Sequence, residues 1–317
     1  MAVAVLGEAL IDFIADQDGA YRAHLGGSPY NVAMALARQQ VPVNYLSPLS
    51  DDRFGDQLLQ SLLDEGVHIA IKRRSHWPTS LALVTVDDAG TAAYRLYREG
   101  IADKDTSFDE LIDVIDSQTQ VFHTGSLAIT PSQLPKIRQL VAALRERGVC
   151  IAIDINIRLG ASIDTERYLA GVRSLLPLAD IIKASDEDLE PFGYADTPRA
   201  AAEVAYAQME GGVLVLTEGK GGAVVFTPNG VLSRPATQVG TVVDTIGAGD
   251  TFHANLIAAL LRADAFAAPL ESLSESVWVD AIDYACMAAA INVTRVGCNP
   301  PTPEEVRSAM LAGTATL

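Results

Sequence analysis

"DTIGAGDTFHANL", residues 244–256, sets Gly247 and Gly249 directly ahead of an apolar helical run and flanks them with Asp244 and Asp250. Glycine inside a helix costs about 1 kcal/mol relative to alanine, so this pair marks a helix start. Without Cβ atoms, successive backbone N–H groups can converge on one point, and the positive end of the helix dipole adds to their field. Gly247, Ala248 and Gly249 would then form an anion hole of backbone, suited to a phosphoryl group in transfer. Asp250 falls in the first turn beside it, where the same N–H groups are expected to keep its pKa low. A weak base suffices there, because the loose transition state needs little proton removal until late. A turn merely shaped by glycine, followed by an ordinary N-terminal helix acid, would carry the same letters.

Away from this stretch, β-rich runs alternate with helical ones. "AVAVLG" precedes "SPYNVAMALARQ", with Ser28 read as N-cap and Pro29 at the first helical position. "VCIAID", "ADIIKA" and "VLVLTEG" are short strands. "TPSQLPKIRQLVAALRERG" opens with a capping box of Thr130 and Gln133 and has Gly148 past its end. The alternation predicts an α/β fold, a mostly parallel sheet with helices on both faces and ligands at the C-terminal ends of the strands. "LALVTV" (81–86) and "AAYRLY" (92–97) flank the turn "DDAGT" with no helix between, which predicts a hairpin outside the alternation. "VNYLSP" and "VHIAIKRR" could add strands to it. We expect one domain over residues 1–317, carrying a small β lid from about 12–25 and 68–100.

The 317 residues are 49% hydrophobic with a formal net charge of −17, which disfavours nucleic acid and anionic membranes as partners. No run of 18 uncharged apolar residues occurs, and the apolar N-terminus contains Glu8 and Asp12 with no basic flank, so neither a membrane span nor a signal peptide is expected. Cys150, Cys286 and Cys298 show no CxxC spacing and read as reduced thiols; a cytoplasmic setting fits. GxxxxGK[ST] is missing, and no GxGxxG follows the first strand, which excludes a P-loop and weakens a dinucleotide-binding reading. The histidines lack metal spacing; His123 and His253 are expected to be structural or positioning groups.

"VVDTIGAGDTF" and "GGSPYNVAMALARQ" resemble the two signatures of the ribokinase-like (PfkB) carbohydrate kinases, and "GEALIDF" resembles that family's fructokinase branch. The resemblance implies the ribokinase-like fold, a lid-to-lid homodimer, and ATP-dependent phosphorylation of a small sugar at a primary hydroxyl. Asp250 falls on the catalytic base, with Gly247, Ala248 and Gly249 as anion hole. Asp12, Gly26, Gly27, Ser28, Asn31 and Arg158 fall on the sugar side; "DINIRLG" brings Asp154, Asn156 and Arg158 as alternate, site-lining residues. Thr217, Gly219 and Gly222 in "LTEGKGG" fall under ATP, joined by Gly249. Ser185 and Asp188 in "SDED" replace the N-x-x-E motif that helps hold Mg²⁺ and the phosphates. Asp244, Ile246, Asn292, Arg295 and Gly297 are implied around K⁺, although the family's serine is here Pro301.

Fructose, giving fructose 6-phosphate, is the expected substrate. Tyr97 and Arg98 keep 2-keto-3-deoxygluconate open, since a Tyr-Arg pair serves kinases of that acid and an arginine can grip its carboxylate. An Arg98 tied to an acidic neighbour would favour the neutral sugar. A kinase-like regulatory protein that binds sugar or nucleotide without turnover is the non-enzymatic alternative.

Overall fold

A computed structural model describes residues 2–15, 19–86 and 92–314. Within them the strands are β1 (Val3–Val5), β2 (Leu10–Ala15), β3 (Tyr21–Gly26), β4 (Val43–Tyr45), β5 (His68–Ile69), β6 (Ser80–Val86), β7 (Ala92–Tyr97), β8 (Val121–Gly125), β9 (Cys150–Asp154), β10 (Ile181–Ser185), β11 (Val213–Thr217), β12 (Ala223–Thr227) and β13 (Gly230–Arg234). Nine of these make one sheet in the order β13-β12-β11-β10-β9-β8-β1-β4-β5. Pairing is parallel from β5 across to β11, and β12 and β13 add an antiparallel edge. Both faces are covered, which is why the strands are apolar on successive residues: Val3 and Val5 enter one core cluster and Ala4 the other. The first core takes up the helices Ser28–Arg38, Ala248–Arg262 and Glu275–Asn292, and the second the helices Leu134–Glu146 and Pro198–Tyr206. No helix among the described residues is long and apolar enough to cross a membrane.

The expected β appendage is a separate four-stranded sheet, β3-β2-β6-β7, with β2 and β6 parallel and the other pairs antiparallel. It is narrower than the sequence reading. β4 and β5, from "VNYLSP" and "VHIAIKRR", pair with each other in the main sheet. The turn 87–91 lies outside the described residues.

Two helix starts also differ from expectation. The Ser28 helix is capped by Gly27, whose φ of 111° a serine would resist, so Ser28 becomes the first helical residue and its hydroxyl is released for other use. The Leu134–Glu146 helix starts after Gln133, which makes no side-chain cap bond. Pro135 has no N–H for such a cap to reach, and the Thr130 hydroxyl donates to the Leu127 carbonyl at 3.0 Å.

Candidate active site

The two glycine-led helices meet at Asp250. Its side chain is almost wholly buried; Oδ1 accepts from the Ser28 hydroxyl at 2.6 Å and Oδ2 from the Asn31 amide at 2.8 Å. Ala248 N–H turns back to Thr245 O at 3.2 Å, and Thr251 N–H makes the first helical bond, to Gly247 O at 2.8 Å. The N–H groups of Gly249 and Asp250 lie between these two, at the open end of the helix. One of the three expected N–H donors is therefore already committed. The expected low pKa of Asp250 is overturned: burial pushes its carboxyl above the ordinary range. The bonds from Ser28 and Asn31, then the charges of Lys183 and Arg158, pull it only part of the way back. Gly247 is glycine for two reasons: its φ is 71°, and a Cβ would lie 2.3 Å from Cys298 Sγ.

Among the residues expected to face a sugar, a Cβ at Gly26 would come within 2.4 Å of Asp12 Oδ2, so glycine leaves room for that carboxylate. Burial raises Asp12 to about 6, against the lowering charges of Arg158 and His24, while Asp250 adds to the rise. Asp12, Asp250 and Arg158 thus share one field. Arg158 is exposed, and its guanidinium makes a long hydrogen bond, 3.4 Å, to the Ile157 carbonyl. The expected row of alternate site-lining residues does not form. Asp154 is fully buried and paired with Lys183, both oxygens at 3.0 Å from Nζ, and Asn156 bends the chain with φ 37°.

Arg98 is tied down. Its guanidinium forks onto Asp103 at 2.8 and 3.1 Å and donates to the Ser80 hydroxyl, with the Arg98 and Asp103 side chains only 8% and 4% exposed. Tyr97 is misplaced by the sequence reading. It is 57% exposed, and register sets it level with Leu81 and Ile11, on the lid face opposite Asp12, Ala82 and Leu96.

Of the residues expected under a nucleotide, Thr217 ends β11, and Gly219 follows with φ 52° and open space where a Cβ would be. Gly222 is sterically compelled, since its Cβ would lie 2.1 Å from Arg234 O. Ser185 and Asp188 form a reciprocal capping box; Asp188 Oδ2 takes Ser185 N–H and O–H, and Oδ1 takes Ile157 N–H, each at 2.7 Å. Asp188 is therefore poorly placed to ligate a metal directly. No group of three or more His, Cys, Asp or Glu among the described residues is arranged as a metal site. A divalent cation would instead arrive on the phosphates of a nucleotide, as Mg²⁺ commonly does.

The loops implied for potassium are already joined by the chain. Asp244 accepts from the N–H groups of Ile246 at 2.9 Å and Gly297 at 2.8 Å. Asn292 donates to Ile246 O at 2.9 Å and accepts from Asn299 N–H at 2.8 Å, while Arg295 donates to Asn299 O and pairs with Glu305.

Sequence reasoning missed two residues. Glu8 is buried beneath the Gly27–Ser28 turn, its Oε1 accepting from Ser28 N–H at 3.3 Å, and burial pushes it up to about 7. Lys183 lies behind Gly249, where a Cβ would come within 3.1 Å of Nζ. The signal for each was one charged letter inside an apolar strand region, "VLGEAL" and "DIIKAS". His123 and His253 lie with ring centroids 5.0 Å apart, both buried and both pushed toward the neutral form by burial.

A mostly parallel sheet, a separate β lid and a carboxylate at a glycine-rich helix start together define a ribokinase-like sugar kinase. The profile of the pfkB family carbohydrate kinases matches residues 2–305, and the chain belongs to that family. It is 31% identical to a fructokinase of Rhizobium leguminosarum bv. trifolii over 258 residues, 80% of this chain and 78% of the relative. Its structure superposes on the ATP-bound fructokinase of Xylella fastidiosa with a TM-score of 0.85 and 26% identity, covering 99% of both chains. A fructokinase of Vibrio cholerae O395, solved with fructose, ADP and calcium ion, gives 0.83 and 26%, covering 97% of this chain and 98% of that one.

Proposed function

We propose that this kinase transfers the γ-phosphoryl group of ATP to a primary hydroxyl of fructose, giving fructose 6-phosphate. The observation that carries the choice of sugar is the buried fork of Arg98 on Asp103. A guanidinium already held by a carboxylate offers no charge to the carboxylate of 2-keto-3-deoxygluconate. The fructokinases among its relatives support the same reading.

In this reading Asp12, Gly26, Gly27, Asn31 and Arg158 hold the sugar beneath the lid. The reacting hydroxyl comes to Asp250, whose position is fixed by Ser28 and Asn31. Its oxygen attacks the γ-phosphorus, the bond to the β–γ bridging oxygen breaks, ADP leaves, and the proton passes to the Asp250 carboxylate. The backbone N–H groups of Gly249 and Asp250 face the charge of the phosphoryl group in flight. Thr217, Gly219 and Gly222 line the nucleotide side, and Mg²⁺ bound to the phosphates would offset their charge. No step is assigned to a monovalent cation. The lid excludes water that would otherwise hydrolyse ATP.

The lid face carrying Tyr21, Leu25 and Tyr97 exposes large apolar side chains, and this supports a homodimer joined lid to lid. Light scattering at micromolar concentration would show a dimer; a monomer overturns this part. Sugar specificity is tested by kcat/KM for fructose, 2-keto-3-deoxygluconate and ribose. A tenfold preference for the keto acid, about 1.4 kcal/mol, would overturn fructose and leave the sugar kinase standing.

A further inference from the structure

Lys183 and Asp154 are register partners on the adjacent parallel strands β10 and β9. The residues two positions before them, Ile181 and Ala152, point into the same apolar core. An ion pair there is a poor route to stability, because similar-sized apolar residues commonly do as well or better. Its position gives a second reason for it. Both side chains are almost fully buried, and the ammonium presses against the back of Gly249, within 3.1 Å of where a Cβ would stand. Gly249 is the residue whose N–H opens toward the phosphoryl group in the proposed function. One lysine also faces three carboxylates. Although burial works against it, Asp154, Asp188 and Asp250 together hold Lys183 above its ordinary value.

We propose that Lys183 is a positioning residue for phosphoryl transfer, a buried cation behind the backbone anion hole that offsets the charge of Asp250 and steadies Gly249. This rests on the sugar-kinase reading of the site. The two imidazoles on the same side do not compete with it, since burial and the lysine itself keep His253 neutral and His123 is likewise held neutral. The other charged groups around Asp250 are the exposed Arg158, Asp12 in the lid and Asp154 beneath, and the Cys298 thiol also lies near it. Asp154 partly neutralises Lys183, so the two residues act on Asp250 with opposite sign. Removing the cation raises the Asp250 midpoint; removing the Asp154 charge alone leaves more of the cation to act on Asp250 and lowers it.

The experiment compares wild type, Asp154→Asn and the double variant Asp154→Asn/Lys183→Met, which avoids leaving a buried charge unpaired. The Asp250 carboxyl is titrated directly by carboxyl-carbon NMR without substrates, so the result does not depend on turnover. The midpoint should fall in the single variant and rise in the double, by about half a pH unit or more each way. In the double variant kcat should drop about tenfold or more, while fructose affinity measured by calorimetry stays within about threefold. Midpoints that do not move, or move the same way in both variants, overturn the proposal. So does a double variant with wild-type kcat, or one whose fructose affinity falls as much as its rate. Should the double variant not fold, the downward shift in Asp154→Asn decides alone. An inactive wild type with normal NMR shifts would instead refute the kinase reading.

Discussion

The helices Ser28–Arg38 and Ala248–Arg262 both begin at a glycine of positive φ, 111° at Gly27 and 71° at Gly247, and neither start has a side-chain cap. Four helices away from the site are capped in the ordinary way, by Asp52, Ser107, Asp164 and Thr197, whereas those that follow Gln133 and Ser274 lack a side-chain cap but also lack the glycine. At both site helices a Cβ on the glycine would strike the chain, Glu8 O at 2.5 Å in one and Cys298 Sγ at 2.3 Å in the other. What each start then offers is different. The first contributes neutral side-chain donors, Ser28 and Asn31. The second contributes backbone donors and a carboxylate. Neutral groups that donate and accept suit sugar hydroxyls, whereas fixed N–H dipoles suit a charge that appears only during transfer. At these two glycine-led starts the first turn is turned toward Asp250 instead of being closed by a cap.

The comparison is broken most severely by Asp250→Asn. Shape is kept and the proton acceptor is lost, so kcat should fall by about 10² to 10⁴ with sugar binding retained; near-wild-type turnover in a coupled ATPase assay would remove Asp250 from its role. Next, Arg158→Ala should raise KM for the sugar about ten- to a hundredfold, the cost of one charged hydrogen bond at about 1.5–3 kcal/mol, and KM for ATP far less. An effect confined to ATP would put Arg158 on the wrong side. The glycine pair sharpens the contrast. Each alanine variant adds strain of about 1–3 kcal/mol, but Gly27→Ala should act chiefly on sugar KM and Gly247→Ala chiefly on kcat. Equal changes in both parameters for both variants would erase the distinction.

The smallest effect concerns stability on the Gly27 side. Glu8 rises from an unfolded value near 4.5 to about 7 in the fold, so its contribution is fully present below 4.5 and is lost as pH climbs through 7. Glu8→Gln does not titrate and keeps an oxygen for Ser28 N–H. Melting temperatures of the two proteins should therefore diverge in the variant's favour between these pH values, by an amount equivalent to about 1–3 kcal/mol. A difference independent of pH would mean that folding leaves the titration of Glu8 unchanged.

Much of the fold was legible because alternating strands and helices write their periods into local sequence. The glycine-rich start was legible for the same reason, glycine being costly anywhere else. Ser28 was misread because the local rule makes a serine before proline a cap, and nothing nearby shows a carboxylate 222 positions away claiming its hydroxyl. Lys183 and Asp154 were each a single letter, and only strand register brings them together. Arg98 and Asp103 stand five residues apart in plain view, yet the sequence does not say whether the arginine turns to its neighbour or to a ligand.

From β8 to β13 each strand lies beside the next one in the chain, but β1 sits between β4 and β8. During synthesis from the N-terminus, β1 therefore lacks its second neighbour until the chain has grown to Gly125. β2, which follows β1 into the lid, is anchored to the same unfinished strand. Long-range pairing of this kind is slow and leaves apolar edges uncovered. The nascent N-terminal third thus waits longest for its partners, and it carries Asp12, Gly27 and Asn31, which the proposed function sets around the sugar.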